Sequence, residues 1–376
     1  MSSTPDTSPD LINQLVGIAP DSPLAAVRNQ RPEVVAHSQG SYETIFQPED
    51  PADLSLIDRH LAGLRVAVLI PSPLLIAHHV QRASALGVEQ AILDGVQAVP
   101  LGPNLDARTQ AMMVHVDRLT LEPVTADETH LAALAATGLS VRAIVALSQL
   151  IAFTSYQARV LVTLQLLKGV EPPAERLPRA PLADGSGVTG WTAAALDWQA
   201  WLTTLKLDDA TEAQIAVLEE STPTAKSSPY YLLLVQEVAI LRERSKLYNA
   251  IMYGARGLRR ADRELGALAT SRVNGCVYCA SVHAQRYTQL ARQPEVVERI
   301  FANGTAAQLD ERERVVVDFA EKLTRHPGQM KLADLTPLRQ LGLEDNEILD
   351  LANAVAVFAW ANRLMLTLGE PAAKAG

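Results

Sequence analysis

The sequence aligns with itself. Displaced by 204 positions, the block from Arg59 to Thr163 falls without a gap on the block from Arg263 to Thr367. Arg59, Leu61 and Leu64 meet Arg263, Leu265 and Leu268, and His79, Gln81 and Arg82 meet His283, Gln285 and Arg286. Leu105, Asp106 and Arg108 meet Leu309, Asp310 and Arg312. Further on, Gly138, Leu139 and Arg159 meet Gly342, Leu343 and Arg363. One offset kept over so long a block marks a duplicated unit, and it restricts the chain to what two similar units can build.

Each unit reads as helical. Ile348, Leu351, Val355, Phe358 and Leu366 recur at helical spacing, as do Val315, Val316, Phe319 and Leu323. Residues 241–252 and 141–167 fit the same template, and no useful length alternates with a period of two. Pro294, Pro327, Gly328 and Gly342 fall between the runs. With 48% hydrophobic and 20% charged residues the chain is globular, so the predicted fold is all-α, two similar helical bundles. The stretch from Val170 to Ser186 is rich in Pro and Gly and reads as a linker. Trp191 to Glu220, with a helical run from Asp209, is expected to pack across the second bundle.

Charge and hydropathy exclude some partners. A net charge of −9 argues against nucleic acid, which needs basic patches. Arg256, Arg259, Arg260 and Arg263 form the one local basic cluster, but Asp262 and Glu264 interrupt it, so it reads as a solvated helix face. The start is polar and acidic, without a basic and apolar leader. The apolar stretch from Leu61 to Ile76 is broken by Arg65, Pro71 and Pro73. A cytoplasmic protein with no membrane partner is expected.

The chain has two cysteines, and they lie in one motif, Cys276-Val277-Tyr278-Cys279, with His283 four residues on. In a reducing compartment such a pair is catalytic or metal-binding rather than a structural staple. Asn274-Gly275 before it signals a turn, so one helix should end near Val273 and the next begin at about Cys276. On that helix Cys276, Cys279 and His283 would share a face, the positive helix end would favour thiolate, and the two sulfurs could close to a disulfide. Glu264 lies ten residues before Asn274. In an antiparallel hairpin it would meet His283, orient the imidazole and raise its basicity. Other uses of the pair are a zinc site completed by His283, a thioredoxin-type motif, or two inert core thiols. The first has no second Cys-x-x-Cys or His-x-x-x-His nearby, and the second lacks its βαβ setting.

Arg263-Glu264-Leu265 followed eleven residues later by Cys276-x-x-Cys279-x-x-x-His283 resembles the signature of the alkylhydroperoxidase D-like family, within the carboxymuconolactone decarboxylase superfamily. Leu309-Asp310-Glu311-Arg312-Glu313, Asp345-Asn346-Glu347-Ile348 and Ala359-Trp360-Ala361-Asn362-Arg363 extend the resemblance. It covers residues 229–369 well and 23–167 weakly. It implies two tandem helical bundles of that type: a degenerate one over 1–169, a linker and connecting helices over 170–222, and a catalytic one over 223–376. It further implies a cysteine-dependent hydroperoxide reductase of peroxiredoxin type. Cys279 would attack the peroxide, Cys276 would resolve the sulfenic acid, His283 would be the base and Glu264 its polarising partner. No cofactor or metal is called for. The implied partners are a hydroperoxide and a dithiol reductant, in some members a lipoylated protein. The implied assembly is a homo-oligomer, a dimer or a trimer of two-domain chains. The best-known members carry His between the cysteines, where this chain has Tyr278. Competing expectations are a non-catalytic redox sensor or scaffold, and a decarboxylase-like or lactone-acting enzyme of the same superfamily.

The first repeat has lost the motif. Ser72 stands for Cys276, Leu75 for Cys279 and His60 for Glu264, leaving only His79. It is expected to be a structural copy that replaces a subunit. The alternative is a site of its own, built from Ser72, His79 and His60 or from His60, His78 and His79, with its own ligand or metal. His37, His115, His130 and His326 are assigned no function.

Overall fold

The computed structural model describes residues 10–173 and 185–374. Most of the predicted linker, residues 174–184, lies outside the described residues.

Helices dominate, and their starts repeat with the offset of the sequence. Helices opening at Leu56, Pro73, Gln90, Ala107 and Val141 are answered by helices opening at Arg260, Val277, Pro294, Glu311 and Asp345. The punctuation that sets these starts is local. Asp106 Oδ1 accepts from the Thr109 amide at 2.7 Å, and Ser140 Oγ from the Ala143 amide at 3.1 Å. In the second unit Glu347 Oε2 accepts from the Glu344 amide at 2.9 Å, holding the start of the Asp345–Thr367 helix.

The last helices of the two units, Val141–Leu167 and Asp345–Thr367, pack against each other at the centre. Both are long and apolar enough to cross a membrane by length and composition, and the apolar windows are 89% and 100% buried inside the protein. Helices that are hydrophobic all round belong in such a core. Their shared face is pseudo-symmetric down to single bonds. Arg159 Nη2 donates to the Thr324 carbonyl at 2.7 Å, and its counterpart Arg363 donates to the Thr120 carbonyl at 2.9 Å. Trp360 Nε1 donates to Gln149 Oε1, and Tyr156, which stands in its place in the first unit, donates to Asn353 Oδ1. Each unit therefore satisfies polar groups of the other, and the larger of two apolar clusters draws on both units, while the smaller lies mostly within the second.

Two findings depart from the sequence reading. Leu196–Ala200 and Gly369–Ala373 pair as a small antiparallel sheet, with Leu196 opposite Ala373. Leu196–Ala200 does alternate apolar and polar residues, but over five positions only, and its partner Gly369–Ala373 does not alternate at all, so the pairing had no matching signal on both sides. Trp198 anchors the sheet by donating to the Met365 carbonyl at 3.0 Å. Of the arginine cluster, Arg263 is buried rather than solvated. It donates to the Ile251 and Gly254 carbonyls, both at 2.7 Å, and so ties the preceding helix, Val238–Tyr253, to its own.

Candidate active site

The Arg260–Asn274 helix stops at Gly275, whose φ of +80° lies in the left-handed region that favours glycine. A Cβ there would stand 2.7 Å from Val124 Cγ2, so the position also has no room for one. The Val277–Ala291 helix then runs back beside the first, and Cys276 is its N-cap rather than a member of its first turn. The Cys276 amide donates to the Ser271 carbonyl at 2.9 Å. A buried amide chain braces the turn: Asn274 Nδ2 donates to Asn362 Oδ1 at 2.8 Å, and Asn362 Nδ2 to Ser271 Oγ at 3.1 Å. The last helix of the chain thus holds the corner on which the cysteines sit.

All four predicted residues come together. Both cysteines are free thiols, buried at 2% and 5% exposure, deeper than a helix mouth suggests. Burial pushes the Cys276 thiol well above its ordinary range, and its hydrogen bond with Cys279 adds to the rise. Cys276 is therefore a protonated thiol at neutral pH. The antiparallel pairing brings Glu264 Oε2 to 2.6 Å from His283 Nδ1, with both side chains buried. Burial alone would raise the Glu264 carboxyl. The bond and charge of His283, with Arg260 Nε at 3.2 Å, outweigh it and hold the group below its ordinary value. Glu264 is thus an anion that accepts a hydrogen bond from His283 Nδ1–H, which leaves Nε2 as the imidazole nitrogen available for proton exchange. Phe358 stands edge-on to that ring at 4.2 Å and fixes its plane.

Cys279 and His283 line a cavity of about 160 Å³, shared with Tyr231, Tyr278, Arg244 and Phe358. Cys276 is not on its wall. Tyr278, between the cysteines, is pushed up to about 12, by burial first and then by Cys279, so it presents a neutral hydroxyl at neutral pH. Sequence reasoning missed Phe358, Arg260 and Arg244, which look like ordinary helix residues until the fold brings them to the site. Asn362 was legible only as part of the Ala359–Arg363 motif.

The first unit keeps the frame without the chemistry. His60 Nδ1 lies 3.2 Å from His79 Nδ1, where the second unit has its carboxylate and imidazole. Burial holds His60 and His78 down to about 4 and His79 well below its ordinary range, so all three are neutral at neutral pH. His79 Nε2 is buried without a partner among the described residues and is faced by Gly63. Ser72 caps the following helix by position only.

The site is thus a helical hairpin in an all-α protein that sets a buried dithiol beside a carboxylate–imidazole pair. Residues 239–322 match the carboxymuconolactone decarboxylase family, and the match spans the turn, both cysteines, His283 and Glu264. Over the segment that carries the site, the chain is therefore similar to that family. Two solved structures are similar to the chain. One is the alkylhydroperoxidase AhpD core of an uncharacterized peroxidase-related protein from Ralstonia eutropha JMP134, at 26% identity and a TM-score of 0.39, covering 43% of this chain and 86% of that one. The other is an uncharacterized peroxidase-related protein from Silicibacter sp. TM1040, at 29% identity and a TM-score of 0.37, covering 45% and 92%. No curated protein matches the chain.

Proposed function

We propose that the protein reduces hydroperoxides with the Cys276–Cys279 dithiol. The observation that carries this reading is the buried 2.6 Å pair of His283 and Glu264, whose imidazole shares the wall of one cavity with Cys279 while the carboxylate stands behind it. His283 takes the Cys279 proton through Nε2, while Glu264 stabilises the imidazolium. The thiolate sulfur attacks the terminal peroxide oxygen, the O–O bond breaks, and the alkoxide leaves as the alcohol with the proton returned from His283. Cys279 is then a sulfenic acid. Cys276, protonated and beside it, attacks that sulfur; the S–O bond breaks, water leaves and a disulfide forms. A dithiol reductant, the lipoyl type included, returns two electrons and two protons. The position of Cys276 off the cavity wall suits a resolving thiol, which meets no substrate.

The test is turnover. Wild type should consume a hydroperoxide continuously with dihydrolipoamide as reductant. Cys279→Ser should show no oxidation, and Cys276→Ser should stop at a sulfenic acid on Cys279, read by dimedone labelling and mass spectrometry. Oxidation that halts after one equivalent in wild type, with excess reductant, would make the protein a redox sensor instead. Conversion of a carboxymuconolactone without peroxide turnover would favour the acid–base chemistry of the family's other branch. On this reading the first unit is a structural copy, and the chain works as an oligomer in the cytoplasm.

A further inference from the structure

The cavity beside Cys279 contains a buried cation for which the redox chemistry has no use. Arg244 is 5% exposed and sits on the cavity wall. Its Nη2 donates to the Tyr230 hydroxyl at 2.7 Å, Tyr231 is a second phenol partner, and its Nε, like those of Arg159, Arg263 and Arg363, is buried without a partner among the described residues. The guanidinium also lies over the Tyr230 ring at 5.4 Å and near that of Trp360 at 5.9 Å. Burial and the neighbouring charges leave both phenols raised and therefore neutral. The protein's other deeply buried arginines are differently served. Arg28 and Arg65 face Asp10 and Asp117, and Arg59, Arg159, Arg263 and Arg363 each donate to two or more backbone carbonyls. Arg244 has no carboxylate within ion-pair distance among the described residues, and the cavity wall holds no acidic side chain.

A cation taken out of water without an anion is costly, and an anionic ligand relieves that cost. We propose that Arg244, with Tyr230 and Tyr231, is a carboxylate-recognition subsite beside Cys279, so that the preferred hydroperoxides carry a carboxylate. The inference rests on the hydroperoxide reading for its substrate and on the cavity alone for its anion. A guanidinium presents paired donors that match a carboxylate, and two neutral phenols can add donors without opposing its charge. At about 160 Å³ the cavity is smaller than an ordinary ligand pocket, so it takes one end of a molecule.

Alkylation of the reduced protein separates the anion from the redox chemistry. Rate constants at Cys279 are measured with iodoacetate and with iodoacetamide, which differ chiefly in the carboxylate, and with glutathione as the reference thiol. Wild type should favour iodoacetate about tenfold over the glutathione ratio, the effect of one charged hydrogen bond. Arg244→Gln should erase that preference and Arg244→Lys should keep part of it, with circular dichroism and Tm confirming the fold. A wild-type ratio equal to that of glutathione overturns the subsite without any variant. Equal slowing of both reagents in Arg244→Gln also overturns it, because Arg244 would then act on the thiolate alone. Turnover of a short hydroperoxy acid, with peroxide and carboxylate a few carbons apart, against its methyl ester completes the test. An iodoacetate preference with neither peroxide turned over would leave the subsite standing and remove the peroxidase reading. Equal kcat/KM for acid and ester would remove the carboxylate preference while the peroxidase reading stands.

Discussion

Replacing Glu264 with Gln isolates what the buried carboxylate does. Its two contacts differ in weight. The bond to His283 is 2.6 Å between side chains of 2% and 5% exposure, whereas Arg260 lies at 3.2 Å with its side chain 36% exposed. A hydrogen bond to a charged group out of water contributes about 1.5–3 kcal/mol, and a solvent-facing pair on one helix about 0.3–0.5 kcal/mol. The Gln amide is nearly the same size, so packing survives while the charge that holds the imidazolium is gone. If His283 deprotonates Cys279, the loss falls on the oxidation step and slows it by about 10- to 100-fold. The assay is single-turnover loss of free thiol after rapid mixing of reduced protein with hydroperoxide, with circular dichroism as the check on folding. Arg260→Gln, which removes only the exposed partner, should slow the same step by less than about threefold. A folded Glu264→Gln protein oxidised at the wild-type rate would refute the relay and leave the 2.6 Å pair a structural feature.

Gly275→Ala should lower stability by at least ~1 kcal/mol through its positive φ alone, and by more because Val124 must move; urea unfolding reads the loss, and slower thiol oxidation should accompany it. His60 and His78 are each held at about 4 by burial, whereas an unfolded chain protonates them near ~6.5. The unfolded state therefore binds more protons between those values, and stability should fall as pH drops from about 6.5 toward 4, by at most ~1.4 kcal/mol per pH unit for each histidine. His60→Gln should flatten that slope in denaturant titrations across the same window. Glu264 behaves as a depressed carboxylate: the stability it contributes is present above the unfolded value of about 4.3 and is lost as pH falls through its folded value, so Glu264→Gln should soften acid unfolding at the low end. Arg159→Met and Arg363→Met break mirror-related pairs of carbonyl bonds, and each should cost about 2–3 kcal/mol, agreeing with the other within ~1 kcal/mol; a large inequality would deny the pseudo-symmetry.

The helix starts and the local position of the thiols were written in short-range order, and the duplication in a repeat offset by 204 positions. Asp106, Ser140 and Gly275 act on backbone within a few residues of themselves, so their consequences follow from composition and spacing. The Glu264–His283 pairing also followed, because a tight turn between two helices leaves little freedom in which positions face each other. What tertiary structure alone decided was everything that depends on burial and on chain far away. It placed Cys279 on the cavity wall and Cys276 behind it, and it buried Arg263 where a charge run suggested solvent. It paired Leu196–Ala200 with Gly369–Ala373, and it carried Phe358, Asn362 and Arg244 to the dithiol from other helices. The reason is physical: a residue's chemistry is set by the dielectric and the partners around it, and those come from segments whose separation along the chain carries no local signal.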